Sequence, residues 1–274
     1  MRETEDEIHL DSQERQQVEE HAEAPTEVVY EAIRRAGLHE LERPVSGLWW
    51  SGVAAGIALS LSVLAEGALH ALLPDQPWRP LVAAFGYSFG FLIVVQARMQ
   101  LFTENTITPI LPFFLNPGRS LLGRLARLWG VVLAANLVGC AVAATAMSLP
   151  GLIPEKIAEG ALEIARSYAS MTPTEQFLRG IPAGFLIAAL VWMLPRQDGA
   201  GEIIAIVMVT WLIAVAEMSH VVAGSTKLFM LAIAGELDLW GALWRDTAPA
   251  LAGNVLGGTG IFSALAYAQV RERA

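Results

Sequence analysis

Two long apolar stretches of this chain are each interrupted near the middle by a short polar segment, and the interruptions fall in corresponding positions of its two halves. The first is Leu101-Phe102-Thr103-Glu104-Asn105-Thr106, and the second is Ser219-His220-Val221-Val222-Ala223-Gly224-Ser225-Thr226. Backbone groups at membrane depth find no water, so non-helical segments are tolerated there only inside protein or along a water-filled path. A matched pair of such breaks is the pattern left by a transport site between two repeats. His220 lies in the second break, and an ionisable residue at that depth is a functional candidate in its own right.

Span lengths support a membrane reading. A helix needs about 20 apolar residues to cross a bilayer. Residues 48–73, 80–100, 121–149, 175–194, 201–218 and 249–270 each supply such a run or most of one, the second continuing past its break as 107–115 and the fifth as 228–235. The expected fold is therefore an all-α membrane protein of six transmembrane helices. Its second and fifth spans are broken, and its halves form an inverted three-plus-three repeat. Arg and Lys cluster in the segments before span one, between spans two and three, between spans four and five, and after span six. Basic loops stay on the cytoplasmic side, so the chain is expected in the inner (cytoplasmic) membrane with both termini in the cytoplasm. The 150–174 connection is expected to form a short amphipathic helix on the outer surface.

The charge is uneven. Only 16% of residues are charged against 54% hydrophobic, and the net charge of −9 comes largely from an acidic leading segment. Residues 1–44 read as a mostly disordered cytoplasmic tail ending in a short amphipathic helix around Pro25–Leu41, and 45–271 as the membrane domain. This charge says little about what the membrane domain carries. Cys140 has no partner for an internal disulfide and reads as a small buried hydrophobe. With no metal-ligand spacing and no phosphate-binding glycine motif, neither a metal nor a cofactor is expected, and nucleic acid is not an expected partner. A carboxylate dyad or a serine–histidine nucleophile is equally lacking, which argues against an enzyme.

Five segments, taken in order, resemble motifs of the formate/nitrite transporter family. Leu101-Phe102-Thr103 followed by Asn105 resembles the family's Glu-Leu-Phe-Thr-Gly-Asn loop, and Asn136-Leu137-Val138-Gly139 its third-span motif. Ala189-Leu190-Val191-Trp192-Met193 is similar to the fourth span. His220-Val221-Val222-Ala223 is similar to its fifth-span break, and Gly253-Asn254-Val255-Leu256-Gly257-Gly258 to its sixth. The resemblance covers about residues 45–270. It implies an aquaporin-like protomer, a homopentamer with one pore per protomer, and small monovalent anions such as formate or nitrite as permeants. It also implies that His220 is a central pore histidine touched by the Thr103 hydroxyl, with Phe102 and Leu101 at an apolar constriction. The chain departs from the family pattern at Gln100, Glu104, Gly184 and Gly224, where the family has Glu, Gly, Asn and Asn, and it lacks a clear entrance lysine.

The leading expectation is a channel or transporter for a small weak-acid anion or its neutral acid. Histidine titrates within reach of neutral pH and so suits proton exchange with such a permeant. The pathway residues are His220, Thr103, Phe102, Leu101, Glu104, Asn105, Gly224, Lys227 and Asn254. Some assignments stay open. Lys227 either lines a vestibule or, the preferred reading, snorkels to the interface. Glu217 either pairs with Lys227, orients the imidazole or faces another subunit. Glu66 snorkels or faces inward. Arg98 and Glu104 form a charge pair, or Glu104 stands unpaired and repels anions. His70 is expected to be an exposed interfacial residue. Asn254 either secures the broken segment or stabilises helix packing. An unpaired Glu104 favours a second expectation, a neutral or cationic solute such as ammonia/ammonium. A third is a non-transporting membrane scaffold that recruits a partner through its acidic tail.

Overall fold

The structure is a computed structural model and describes residues 25–271. All regular structure among the described residues is helical, and none is strand. In chain order the helices are α1 (Thr26–Glu42), α2 (Val45–Leu72), α3 (Arg79–Gln96), α4 (Ile110–Leu115) and α5 (Arg119–Met147), followed by α6 (Glu155–Ala169), α7 (Pro173–Met193), α8 (Gly199–Val215), α9 (Val221–Ile233) and α10 (Leu239–Arg271). Five segments, α2, α3, α5, α7 with its 3₁₀ extension to Arg196, and α10, are long and apolar enough to cross a membrane, and α8 and α9 are shorter apolar helices. The acidic residues 1–24, expected to be disordered, lie outside the described residues.

Large apolar side chains such as Ile57, Phe89, Val142, Ile204, Met208 and Leu265 point outward. An exterior carrying this many large apolar side chains suits lipid. Trp50, Trp240 and Trp244 are exposed near span ends, where amphipathic rings favour the interface.

Two helix pairs dominate the interior, α2 against α5 and α7 against α10. Lipid supplies no hydrophobic drive between helices, so close packing rests on small residues. A Cβ on Gly56 would strike the Asn136 carbonyl, and one on Gly139 the Val53 carbonyl. In the other pair, Gly184 sits against the Asn254 backbone and Gly253 against the Phe177 carbonyl. These glycines let each asparagine reach across the pair.

α1 docks on α4, on the loop before it and on α5. Tyr30 donates to the Leu111 carbonyl at 3.2 Å, Arg127 to the Leu41 carbonyl at 2.7 Å, and Gln100 to the Glu40 carboxylate at 2.9 Å. Burial pushes the Tyr30 phenol up to about 12, so it remains an O–H donor across the neutral range. Tyr30→Phe is expected to cost about 1 kcal/mol, visible as faster amide hydrogen exchange in α1 with the rest of the pattern unchanged.

Candidate functional site

The site is built where α3 and α8 end. Each terminates with a non-glycine residue in the left-handed region, Arg98 and Glu217, both at φ 50°. The following amides reach back, Met99 to the Val94 carbonyl and Met218 to the Ile213 carbonyl, both at 2.9 Å. This closure satisfies the helix end and turns the chain sharply, though left-handed backbone away from glycine costs about 1 kcal/mol. Beyond each turn the chain runs non-helically before the next helical segment.

A single asparagine secures each non-helical segment. The Asn136 amide donates to the carbonyls of Gly52 and Gln100, both at 2.8 Å, and its oxygen accepts from the Phe102 N–H at 2.9 Å. The Asn254 amide donates to the carbonyls of Gly180 at 2.8 Å and Ser219 at 2.7 Å, and its oxygen accepts from the Val221 N–H at 2.9 Å. Both side chains are fully buried. Asn254 therefore holds the break. Asn136 does the same for the first break, a role that composition did not reveal. The signal was there: a lone asparagine mid-span in each half.

The breaks meet at His220, which is 1% exposed. Its Nε2 lies 2.8 Å from Thr103 Oγ1, and its Nδ1 accepts the Ala223 N–H at 3.3 Å as the cap of α9. An Nδ1 that accepts leaves the neutral ring's proton on Nε2. Nε2–H then donates to Thr103, whose own hydroxyl proton is free for another acceptor. A second proton could enter only at Nδ1, against the Ala223 N–H. Phe91, not anticipated from sequence, meets the imidazole edge to face at 5.1 Å between centroids. Leu101 and Phe102 are buried in the same apolar cluster, and Phe102 packs on Trp129 at 5.7 Å.

A recess lies to either side of this seam. The one beside α6 is about 340 Å³ and includes Glu66, His70, Glu163, Tyr168 and Lys227. The one beside α1 is about 500 Å³ and includes Glu40, Arg98, Gln100, Leu101, Glu104, Asn105 and Glu202. Asn105 is buried, donating to the Gln100 side chain at 3.2 Å and accepting from the Trp129 indole at 2.9 Å. Glu104 has an oxygen sealed from solvent without a hydrogen-bond partner, and no ion pair joins it to Arg98 among the described residues.

Several sequence expectations need correction. Lys227 does not snorkel. It is 12% exposed and faces Glu66 at 3.6 Å, which also turns Glu66 inward. Glu217 pairs with Arg179 at 2.8 Å rather than with Lys227. His70 is not an exposed interfacial residue, since it bonds Glu163 at 2.8 Å within the recess wall. Gly224, where the family has Asn, packs against the Tyr168 hydroxyl, which fills the place a side chain would take.

Residues 27–268 match the family profile described as formate/nitrite transporter. The chain is 39% identical to the inner membrane protein YfdC of Escherichia coli (strain K12), over 97% of this chain and 88% of that protein. Its fold superimposes on a solved FNT family ion channel with a TM-score of 0.74 at 22% identity, covering 89% of this chain and 98% of the other. It also superimposes on a pentameric formate channel with formate bound, with a TM-score of 0.69 at 18% identity, covering 87% of this chain and 99% of that one.

Proposed function

The chain belongs to the formate/nitrite transporter family and is a membrane transport protein rather than an enzyme; from that premise we propose that it conducts a small monovalent weak-acid anion, or its neutral acid, between the two recesses and past His220. The observation that carries this reading is the 2.8 Å contact between His220 and Thr103, which joins the two breaks inside an apolar seam. A bare anion is costly in such a seam, by several kcal/mol, whereas the protonated acid is not. The neutral imidazole orients the Thr103 hydroxyl as a donor for the passing oxygen. His220 thus positions Thr103 and guards against a charged ring, because charging Nδ1 would break the cap of α9. Phe91, Leu101 and Phe102 form the apolar rings that exclude a hydrated ion.

In this reading α3 and α4 form one interrupted crossing and α8 and α9 another, which gives six crossings in two inverted halves of the aquaporin type. The paired left-handed turns and paired asparagine clamps support it. Both termini face the cytoplasm, the recess beside α1 opens inward and the recess beside α6 outward. The protein assembles as a homopentamer in the inner membrane, as the pentameric neighbour and the inner-membrane relative suggest.

Flux of formate, nitrite and hydrosulfide into proteoliposomes over a range of pH tests the proposal. Thr103→Val is expected to lower flux about tenfold, the worth of one hydrogen bond to the permeant, with Thr103→Ser close to wild type. His220→Ala is expected to lower flux at least as much as Thr103→Val, because the Thr103 hydroxyl loses the partner that orients it. An unchanged rate in His220→Ala would reject the role.

Glu104 favours a second reading. Its unpartnered oxygen, with Glu40 and Glu202 in the same recess, suits a neutral or cationic solute such as ammonia/ammonium. Reversal potentials that follow the cation would select that reading over the first.

A further inference from the structure

Two residues that line the recess beside α6, Glu66 and Tyr168, each carry a buried oxygen without a hydrogen-bond partner. Lys227 Nζ stands 3.6 Å from Glu66 Oε2, both side chains being 12% exposed. Buried charge-assisted pairs ordinarily close to about 2.8 Å. This one stays open, with the ammonium held 5.8 Å and 5.6 Å from the ring centroids of Tyr87 and Tyr168. Glu66 Oε2 and the Tyr168 hydroxyl are both sealed from bulk solvent and lack hydrogen-bond partners. Tyr168 itself is only 6% exposed. Unsatisfied buried groups in one cavity call for an occupant.

We propose that Glu66, Lys227 and Tyr168 form a binding subsite for the protonated, uncharged form of a small weak acid. The occupant must accept from the ammonium and the phenol and must donate to the carboxylate. An anion accepts but has no proton for Glu66. A cation donates but has no oxygen for Lys227 and Tyr168. A protonated carboxylic or similar oxyacid does both. Lys227 and Glu66 cancel in charge, so the pair does not draw in an anion by net field. The remaining charged groups of the wall are already paired, His70 with Glu163 at 2.8 Å and Glu217 with Arg179 at 2.8 Å.

The subsite adjoins the proposed path. A Cβ on Gly224 would collide with the Tyr168 hydroxyl, and the Gly224 N–H bonds the His220 carbonyl at 2.8 Å. An acid leaving Tyr168 is therefore one helical turn from His220. The inference rests on the transport reading and adds the form in which the permeant is first held.

The test is formate uptake by the full-length protein in proteoliposomes, measured as the half-saturating total formate concentration against external pH. In wild type that concentration is expected to rise about tenfold per pH unit above the acid's pKa, as the protonated fraction falls. Tyr168→Phe is expected to raise it about fivefold to tenfold at every pH, with the maximal rate unchanged. Glu66→Gln removes the acceptor for the acid proton and leaves Lys227 unbalanced, so its half-saturation should become nearly independent of pH. Thermal unfolding of the purified protein reads the same subsite without flux. Formate should raise the unfolding temperature of wild type at low pH but not at neutral pH, and the gain should shrink in Tyr168→Phe. Variants that match wild type in both measurements would mean the recess holds water only, and the proposal would be overturned. Normal flux in His220→Ala alongside the expected Glu66→Gln behaviour would instead reject the central-histidine reading and leave this subsite standing.

Discussion

Asn254→Ala is expected to destabilise the purified protein by roughly 2–6 kcal/mol, because it strips partners from the Ser219 carbonyl and the Val221 N–H together. For a chain of this size that corresponds to a fall of about 10 °C in unfolding temperature. At membrane depth no bulk water replaces the lost bonds. Asn136→Ala should cost a similar amount through the Gln100 carbonyl and the Phe102 N–H. Asn254→Asp is a sharper control, since it keeps size and the acceptor for Val221 but turns a negative oxygen on two carbonyls. It should be at least as damaging as alanine. Fluorescence-detected size exclusion after a temperature series measures all three. An Asn254→Ala protein that melts with wild type would show that the clamp does not hold the break.

The other large effect is steric. A Cβ on Gly184 would lie 2.6 Å from the Asn254 Cα, and one on Gly56 would lie 3.0 Å from the Cys140 nitrogen. Neither neighbour is a flexible side-chain tip, so the helices themselves have to separate. Gly184→Val and Gly56→Val are each expected to cost about 3 kcal/mol or more, at the upper end of overpacking. The displaced helix carries the asparagine clamp with it, so transport should fail before the fold does. Flux through protein that still elutes as a single species separates the two effects. Full flux in Gly184→Val would mean that α7 and α10 tolerate a wider spacing than their contacts indicate.

Residues that act locally could be read from the chain, and residues that act across it largely could not. The polar interruptions at Thr103 and His220 stand out against apolar flanks, so the breaks were legible. The meeting of those two side chains came through the family resemblance, because they are 117 residues apart. Asn254 stands out as a polar residue in mid-span, whereas Asn136 reads only as part of a motif, although it occupies the matching place. The burial of Lys227 is not legible locally, because its neighbour Glu66 belongs to the first long helix and no local pattern links them. The partners of His70 and Glu217 are equally out of local reach, since each comes from another helix. Phe91 was one apolar residue among many until the ring of His220 was placed against it.

The asparagine clamps also order how the chain is made. Asn136 leaves the ribosome 34 residues after Phe102, and Asn254 33 residues after Val221. Each half therefore presents naked carbonyls to the membrane well before the residue that will cover them has been synthesised. Until then they need shelter in the insertion machinery or in water. A polypeptide stalled between Phe102 and Asn136 has no means of closing its first half.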